Sequence, residues 1–318
     1  MSMPTMGIAG FVLALALIAL GLPVAIAMAV VGLGGVWLAG GWDQMVYVLG
    51  TAPFESIFPY SFSVIPLFVL MGVFAARAGL SRALFELVNG FFGHWRGGLA
   101  VSTIGACAIF GAICGSSLAT VATIGRVAMP EMRRYGYDDS LSSASVAAGG
   151  TLGSLIPPSV LFILYGIFTE TSISKLFLAG ILPGLLSLAG YILVILWWVA
   201  RDPSAAPTDP TPLPKGARLA AALASWPALV LFAIIIGGIY GGLFTATEAA
   251  AISVVATIVI GFLQRTLTLG KVWIAVRESL VQTSAIFLIA ACAKIFVSFV
   301  ALTGAAGAVA SFVADAGL

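Results

Sequence analysis

Two short stretches hold the residue types from which a binding site inside an apolar chain could be built. One is Cys114-Gly115-Ser116-Ser117-Leu118-Ala119-Thr120; the other is Gly149-Gly150-Thr151-Leu152-Gly153-Ser154-Leu155-Ile156-Pro157-Pro158-Ser159. Pro157 and Pro158 have no N–H to donate and bias the residues before them away from helix, so helical carbonyls upstream lose their partners. Freed carbonyls, with Ser and Thr hydroxyls, are hard oxygen ligands of the kind that suits Na⁺. A helix starting at Ser117 presents free N–H groups and a positive dipole end, which suits a carboxylate. The expected substrate and ion site is therefore Gly115, Ser116, Ser117 and Thr120 facing Gly149, Gly150, Thr151, Gly153, Pro157, Pro158 and Ser159, with Na⁺ at Ser116, Ser117 and Gly150. Neither stretch contains an acidic residue, which argues against a proton relay there, and no catalytic residue or cofactor beyond the coupling ion is expected. Plainer readings exist for each part: Ser116 and Ser117 as helix caps, the glycines as close-packing residues and the prolines as a kink. Both motifs occurring in one chain favours the site.

Other single residues carry weaker signals. Thr245 and Glu248 have the spacing of a capping box opening a helix, read here as a structural cap in preference to a proton carrier. Lys294 is the most deeply placed cation in an apolar run; an intramembrane Lys needs a partner, expected here in a segment outside the sequence or in another subunit. His94, the one histidine, stands beside Trp95 and Arg96 as an interfacial headgroup contact. Cys107, Cys114 and Cys292 lie in apolar runs without paired spacing and read as packing residues.

These residues sit in a chain that cannot be an ordinary soluble protein. Of 318 residues, 61% are apolar and only 8% charged, with a mean hydropathy of +1.15. Soluble domains carry about 25% charged residues. A soluble enzyme, a disordered chain and a nucleic-acid binder are excluded; the runs are continuously apolar rather than alternating, which excludes a β-barrel. An all-α polytopic membrane protein in a lipid bilayer remains. Ala25-Ile26-Ala27 mimics a signal-cleavage site, but no basic residue precedes it, and the apolar run continues, so a retained helix is expected.

Hydropathy and breakers place spans at 6–22, 24–40, 62–79, 176–200, 225–243, 248–263 and 280–300, with a broken helix at 140–168. A helical pair, 98–114 and 117–130, breaks at Gly115-Ser116-Ser117. The second arm, about 14 residues, reaches only about 21 Å, too short to cross a bilayer, so the pair reads as a re-entrant hairpin with its tip near the midplane. Residues 81–95 read as an interfacial amphipathic arm, with Leu84, Phe85, Val88, Phe91, Phe92 and Trp95 opposite Arg82, Glu86 and Asn89. Basic residues cluster at 77–96, 126–134, the linker 201–218 and a loop holding Arg265, Lys271 and Arg277, while 41–61 and 169–175 hold only Lys175. All basic loops fall on the cytoplasmic side if the N-terminus is periplasmic.

The order of events repeats with opposite orientation. Helix, tight turn, helix at 6–40 matches helix, turn at 244–247, helix at 225–263, and 62–79 matches 280–300. Same order in opposite senses is an inverted repeat: 1–200, a cytoplasmic linker 201–218, and an incomplete second copy 219–318. Carrying the Pro23-to-Pro158 offset over to Thr247 puts the matching break at about 382, so roughly a hundred residues of the second copy are expected beyond the sequence.

The motifs then carry a resemblance. Ile65-Pro66-Leu67-Phe68, Gly93-His94-Trp95-Arg96-Gly97-Gly98-Leu99-Ala100, the tip from Gly115 to Thr120, Pro130-Glu131-Met132 with Gly136-Tyr137-Asp138, Gly153 to Ser159, Leu176-Phe177-Leu178-Ala179-Gly180-Ile181-Leu182-Pro183-Gly184 and Gly241-Gly242-Leu243-Phe244-Thr245-Ala246-Thr247-Glu248-Ala249 come in the order and spacing of one family. The chain resembles the large membrane subunit of TRAP (tripartite ATP-independent periplasmic) transporters over nearly its whole length. The resemblance implies an elevator-type member of the ion-transporter superfamily in the bacterial inner membrane. Such a protein imports small organic acids (dicarboxylate, sialic acid or similar carboxylates) by symport with Na⁺. A periplasmic substrate-binding protein delivers the solute, and a small four-helix membrane subunit braces the transporter. It implies that Ser116, Ser117 and Thr120 belong to the first hairpin's site, faced by the break at 149–159. The sequence departs from the family in stopping before a second hairpin and in carrying Lys294.

Two other readings compete with this one. An intramembrane serine hydrolase using Ser116 or Ser117 needs a base within hydrogen-bond reach, and His94 and Lys294 are the only distant choices. A non-transporting fragment or scaffold is the other.

Overall fold

The computed structural model describes residues 2–207 and 222–315, and among them the regular structure is helical throughout. The helices are α1 (Met3–Ala19), α2 (Val24–Ile57), α3 (Val64–Arg77), α4 (Leu80–Phe92), α5 (Gly98–Cys114), α6 (Ser117–Arg134), α7 (Asp139–Leu155), α8 (Val160–Phe168), α9 (Ile173–Arg201), α10 (Trp226–Tyr240), α11 (Ala246–Leu263), α12 (Leu269–Thr303) and α13 (Ala305–Asp315). Six helical stretches among the described residues are long and apolar enough to cross a membrane. The chain is an all-α polytopic membrane protein, as its composition requires: in lipid a helix satisfies its own backbone groups.

The chain divides into two compact units, and the division falls inside α12. The first unit holds Met1–Phe62 and Val281–Leu318. Its core is Ala14, Val31, Val36, Val48, Ala52, Ile295, Phe296 and Phe299. Phe299 is 1% exposed and packs into the space left by small residues on α1 and α2.

The second unit holds Ser63–Leu280. At its centre α5 is buried along nearly its whole length, including Ile104, Cys107, Phe110 and Ile113. It is apolar on all sides, as a helix surrounded by others must be. Around it stand α3, α4, α6, α7 and α9. The two units do not follow the proposed sequence halves, since each draws on residues from both.

Several sequence expectations are corrected. The span expected at 24–40 does end there, at a break in non-helical backbone at Gly41 (φ 82°, ψ 179°), but the loop expected from 41 holds a second helical stretch that carries α2 on to Ile57. Residues 42–57 mix Asp43, Gln44 and Glu55 with aromatics and so show no apolar run, yet Met45, Val48 and Ala52 fall at helical spacing and join the core. The second arm of the hairpin runs to Arg134, giving 18 residues or about 27 Å, so it is not short. It buries Thr120, Ile124, Ala128 and Met132 on one face and carries Arg126, Glu131, Arg133 and Arg134. Polarity, not length, keeps it out of the apolar spans. The arm at 81–95 buries Leu84, Phe85 and Val88 inside the unit and leaves Phe91, Phe92 and Trp95 exposed, so only its end is available to an interface. Lys271 and Arg277 lie on α12 rather than in a loop. The part of the linker 201–218 from 208 on, with Lys215 and Arg218, lies outside the described residues. Its beginning is ordered: Asp202 caps the turn Pro203–Ala205, and Ala205 O accepts a bond from Asp138 N at 2.9 Å.

Besides Glu248, Glu55 and Glu278 stand on span helices, and both are paired. Arg77 donates from Nη2 (2.6 Å) and Nε (3.2 Å) to Glu278 Oε2 on α12. Lys294 lies 3.7 Å from Glu55 Oε2, so its partner is inside this chain. That partner escaped the sequence reading because 41–61 scans as a loop.

Candidate functional site

The hairpin turn is built from three local choices. Gly115 takes φ +64°, a left-handed conformation that ends α5. Ser116 follows in extended backbone (φ −132°, ψ 122°) and its Oγ accepts from Ala119 N at 3.4 Å, which starts α6. Thr120, fully buried, donates from its hydroxyl to Ser116 O at 2.8 Å and lies 3.2 Å from Cys114 Sγ. The turn is therefore tied to both arms. Ser116 and Ser117 are half-buried, and Leu118 is exposed.

The break between α7 and α8 is built by the two prolines. Ile156 is already extended (φ −83°, ψ 123°) and the Pro157–Pro158 bond is cis. Neither proline can donate to the carbonyls of Gly153 and Ser154. The Ser154 carbonyl is recovered by Ser159, which is buried and donates from Oγ at 2.7 Å. Ser159 in turn precedes α8 in extended backbone (φ −132°, ψ 132°). The Gly153 carbonyl loses its helical donor, because the residue four positions on is Pro157.

The structure brings the two stretches together. Val160 N donates to Gly115 O at 3.1 Å, joining the hairpin turn to the first residue of α8. A Cβ on Gly115 would stand 2.8 Å from Pro158 O, and one on Gly153 would stand 2.8 Å from Thr120 Oγ1 and 3.0 Å from Ser116 O. Gly150 backs on to Val121 and the Ser117 carbonyl, and Gly149 on to Cys107. The N-terminus of α6 and the C-terminus of α7 thus meet across side-chain-free backbone, with the Thr120 hydroxyl and the Ser116 and Ser117 carbonyls beside it. Thr151 faces away: it is exposed and bonds Ala148 O (2.7 Å) and the Tyr191 hydroxyl (2.9 Å). Cys114 and Tyr191 were missed; a tyrosine inside the otherwise apolar run 176–200 was the available signal for the second.

The surroundings are neutral. No carboxylate or cation is hydrogen-bonded to the tip among the described residues, and no group of three or more His, Cys, Asp or Glu that could hold a metal occurs among them. What the tip offers is carbonyl and hydroxyl oxygen on one side and helix N–H groups on the other. Thr245 and Glu248 form a complete capping box, with Thr245 N to Glu248 Oε2 at 2.8 Å and Glu248 N to Thr245 Oγ1 at 3.3 Å, far from this junction in sequence. His94 stands edge-on to Trp95 at 6.4 Å.

Charged groups gather instead at the far end of the hairpin. Asp138 caps α7, accepting from Ser140 N (2.7 Å), Leu141 N (3.4 Å) and Ser140 Oγ. The Ser140 hydroxyl and amide hold its carboxyl below the usual carboxylate range. Tyr137 accepts from Leu99 N at 3.3 Å, and burial pushes its phenol up despite that bond.

Comparison with known proteins agrees with the residue pattern. A family model described as "Tripartite ATP-independent periplasmic transporter, DctM component" matches residues 11–318. A C4-dicarboxylate TRAP transporter large permease protein of Pseudomonas aeruginosa is 38% identical over 266 residues, covering 83% of this chain and 62% of that protein. An ectoine TRAP transporter large permease protein of Halomonas elongata is 37% identical over 284 residues, covering 88% of this chain and 65% of that protein. An isethionate TRAP transporter permease protein of Oleidesulfovibrio alaskensis is 38% identical over 277 residues, covering 87% of this chain and 43% of that one. The chain thus spans less than two thirds of the length of these relatives. All three are named as transporter permeases, not enzymes.

Proposed function

The chain belongs to the family of the DctM component of tripartite ATP-independent periplasmic transporters, and on that premise we propose that it serves Na⁺-coupled import of a small organic acid across the bacterial inner membrane. The observation that carries this reading is the contact of the hairpin turn with the broken helix: Val160 N to Gly115 O at 3.1 Å and the close approach of Gly153 to Ser116 O and Thr120 Oγ1. A carbonyl and hydroxyl cluster with no protein cation suits Na⁺ as cargo, and the α6 N-terminus suits an anionic group. Ser116, Ser117 and Gly150 are the residues assigned to the ion, with Thr120 and Ser159 holding the turn and the break in shape. The solutes in the relatives' names (a C4-dicarboxylate, ectoine, isethionate) each carry a carboxylate or sulfonate, in keeping with a site that reads an oxyanion rather than one scaffold.

In this reading the two sequence halves are inverted repeats, the N-terminus is periplasmic, and transport is of the elevator type, with the hairpin and broken helix moving as one body. A periplasmic substrate-binding protein delivers the solute and a small membrane subunit accompanies the chain; a relative named as a combined DctMQ permease supports such a pairing. Uptake into proteoliposomes holding the permease with both partners tests it. Accumulation should require an inward Na⁺ gradient and the binding protein; equal accumulation with K⁺ alone contradicts Na⁺ coupling.

A further inference from the structure

A second feature of the second unit lies away from the hairpin junction. An apolar crevice opens between α7 and α9, walled by Ile104, Leu141, Ala148, Val194, Ile195 and Trp198. The few polar groups on its walls are occupied: Ser145 Oγ donates to Leu141 O at 2.7 Å, and Tyr191 OH pairs with Thr151 Oγ1 at 2.9 Å. Water has no partners in such a groove. The helix forming one wall, α9, is apolar and has only 17% of its apolar window buried, so the groove opens on the outer surface of the unit.

The ends of the groove can be assigned from the bonds that flank it. Thr151 meets Tyr191 at one end, and Asp138 N bonds Ala205 O beyond the other. The groove therefore runs from Tyr191 to Trp198, about 10 Å, toward Arg201 at the end of α9. Ile195, in its wall, lies 3.3 Å from where a Cβ on Gly97 would stand, so the loop His94-Trp95-Arg96 flanks this same end. Arg201 sits over the Trp197 ring at 5.5 Å. Trp95, Trp197 and Trp198, three of the chain's seven tryptophans, gather here, as aromatic rings do at headgroup level.

Two arginines at this end are placed to meet a phosphate. Among the described residues, Asp139 pairs with Arg133 at 2.7 Å, while Asp138 is turned to the α7 cap and Asp202 to the turn at Ser204. Arg96 and Arg201 form no ion pair among the described residues, and both are exposed.

We propose that this crevice is a phospholipid site, taking an acyl chain along its apolar walls and the phosphate of an anionic phospholipid at Arg201 and Arg96. An apolar groove without the arginines would hold any acyl chain; the arginines make the headgroup matter. The site lies on the face of α7 opposite the hairpin junction and does not depend on the transport reading.

Native mass spectrometry of the purified protein with phosphatidylglycerol or phosphatidylcholine tests this. The protein should retain phosphatidylglycerol in preference, and Arg201→Ala and Arg96→Ala should each reduce that preference about fivefold, from about 1 kcal/mol per basic residue at a membrane surface. Arg201→Lys should keep it, which separates charge from damage to the fold. Ala144 of α7 also lines the crevice, and Ala144→Phe, filling it, should lower retention of both lipids. Equal retention of the two lipids by the unaltered protein, or unchanged retention in Ala144→Phe, overturns the proposal.

Discussion

Gly115 and Gly153 decide how closely the hairpin and the broken helix meet. At Gly115 a side chain would be strained by φ +64° and would stand 2.8 Å from Pro158 O. At Gly153 it would press on Ser116 O at 3.0 Å, a backbone atom that cannot rotate away. Gly115→Ala and Gly153→Ala should each destabilise the protein by about 1–3 kcal/mol, read as a lowered Tm in detergent, whereas Gly270→Ala, with open space around it, should change it little. Asp138 makes a pH-dependent contribution. Its pKa is depressed in the folded state, so its cap stabilises α7 above the ordinary carboxylate range and is lost as pH falls through the depressed value. Asp138→Ala should lower Tm at neutral pH, with the gap to the unaltered protein closing below the usual carboxylate pKa; a gap independent of pH contradicts the assignment. These residues were legible to different degrees. Gly115 and the Pro pair announce themselves because breakers act on their own backbone. That Thr151 turns to Tyr191 instead of the junction was not legible, since a helix phase depends on packing 40 residues away.

Among the helices, sequence runs located the hairpin, the break and α9 because each is bounded by its own breaker. They failed at residues 42–57 and at the start of α12, where polar residues interrupt helices held by packing rather than by composition. Both failures hid ion pairs, Lys294 with Glu55 and Arg77 with Glu278. A charge within a membrane helix is expensive alone, and pairing reduces that expense. In the first unit, Lys294→Glu alone should lower the yield of folded protein. The double exchange Lys294→Glu with Glu55→Lys should restore most of it, measured by monodisperse recovery from detergent. Equal loss in both would show that the contact at 3.7 Å carries no pairing energy.

At the scale of the whole chain, composition alone fixed a polytopic helical membrane protein, because 8% charged residues cannot cover a soluble surface of 318 residues. The compact units were not legible: Val281–Leu318 joins the first 62 residues through Phe299 and Phe296, contacts that no local pattern announces. The proposed property of the junction of hairpin and broken helix is that it binds Na⁺. Thermal unfolding of the purified protein at matched ionic strength in Na⁺ or K⁺ tests it most directly. Na⁺ should raise the Tm over K⁺, and Ser116→Ala with Ser117→Ala should weaken the apparent Na⁺ affinity by at least about tenfold, or about 1.4 kcal/mol. An identical Tm in the two salts, or a Na⁺ response unchanged in the double variant, would contradict it.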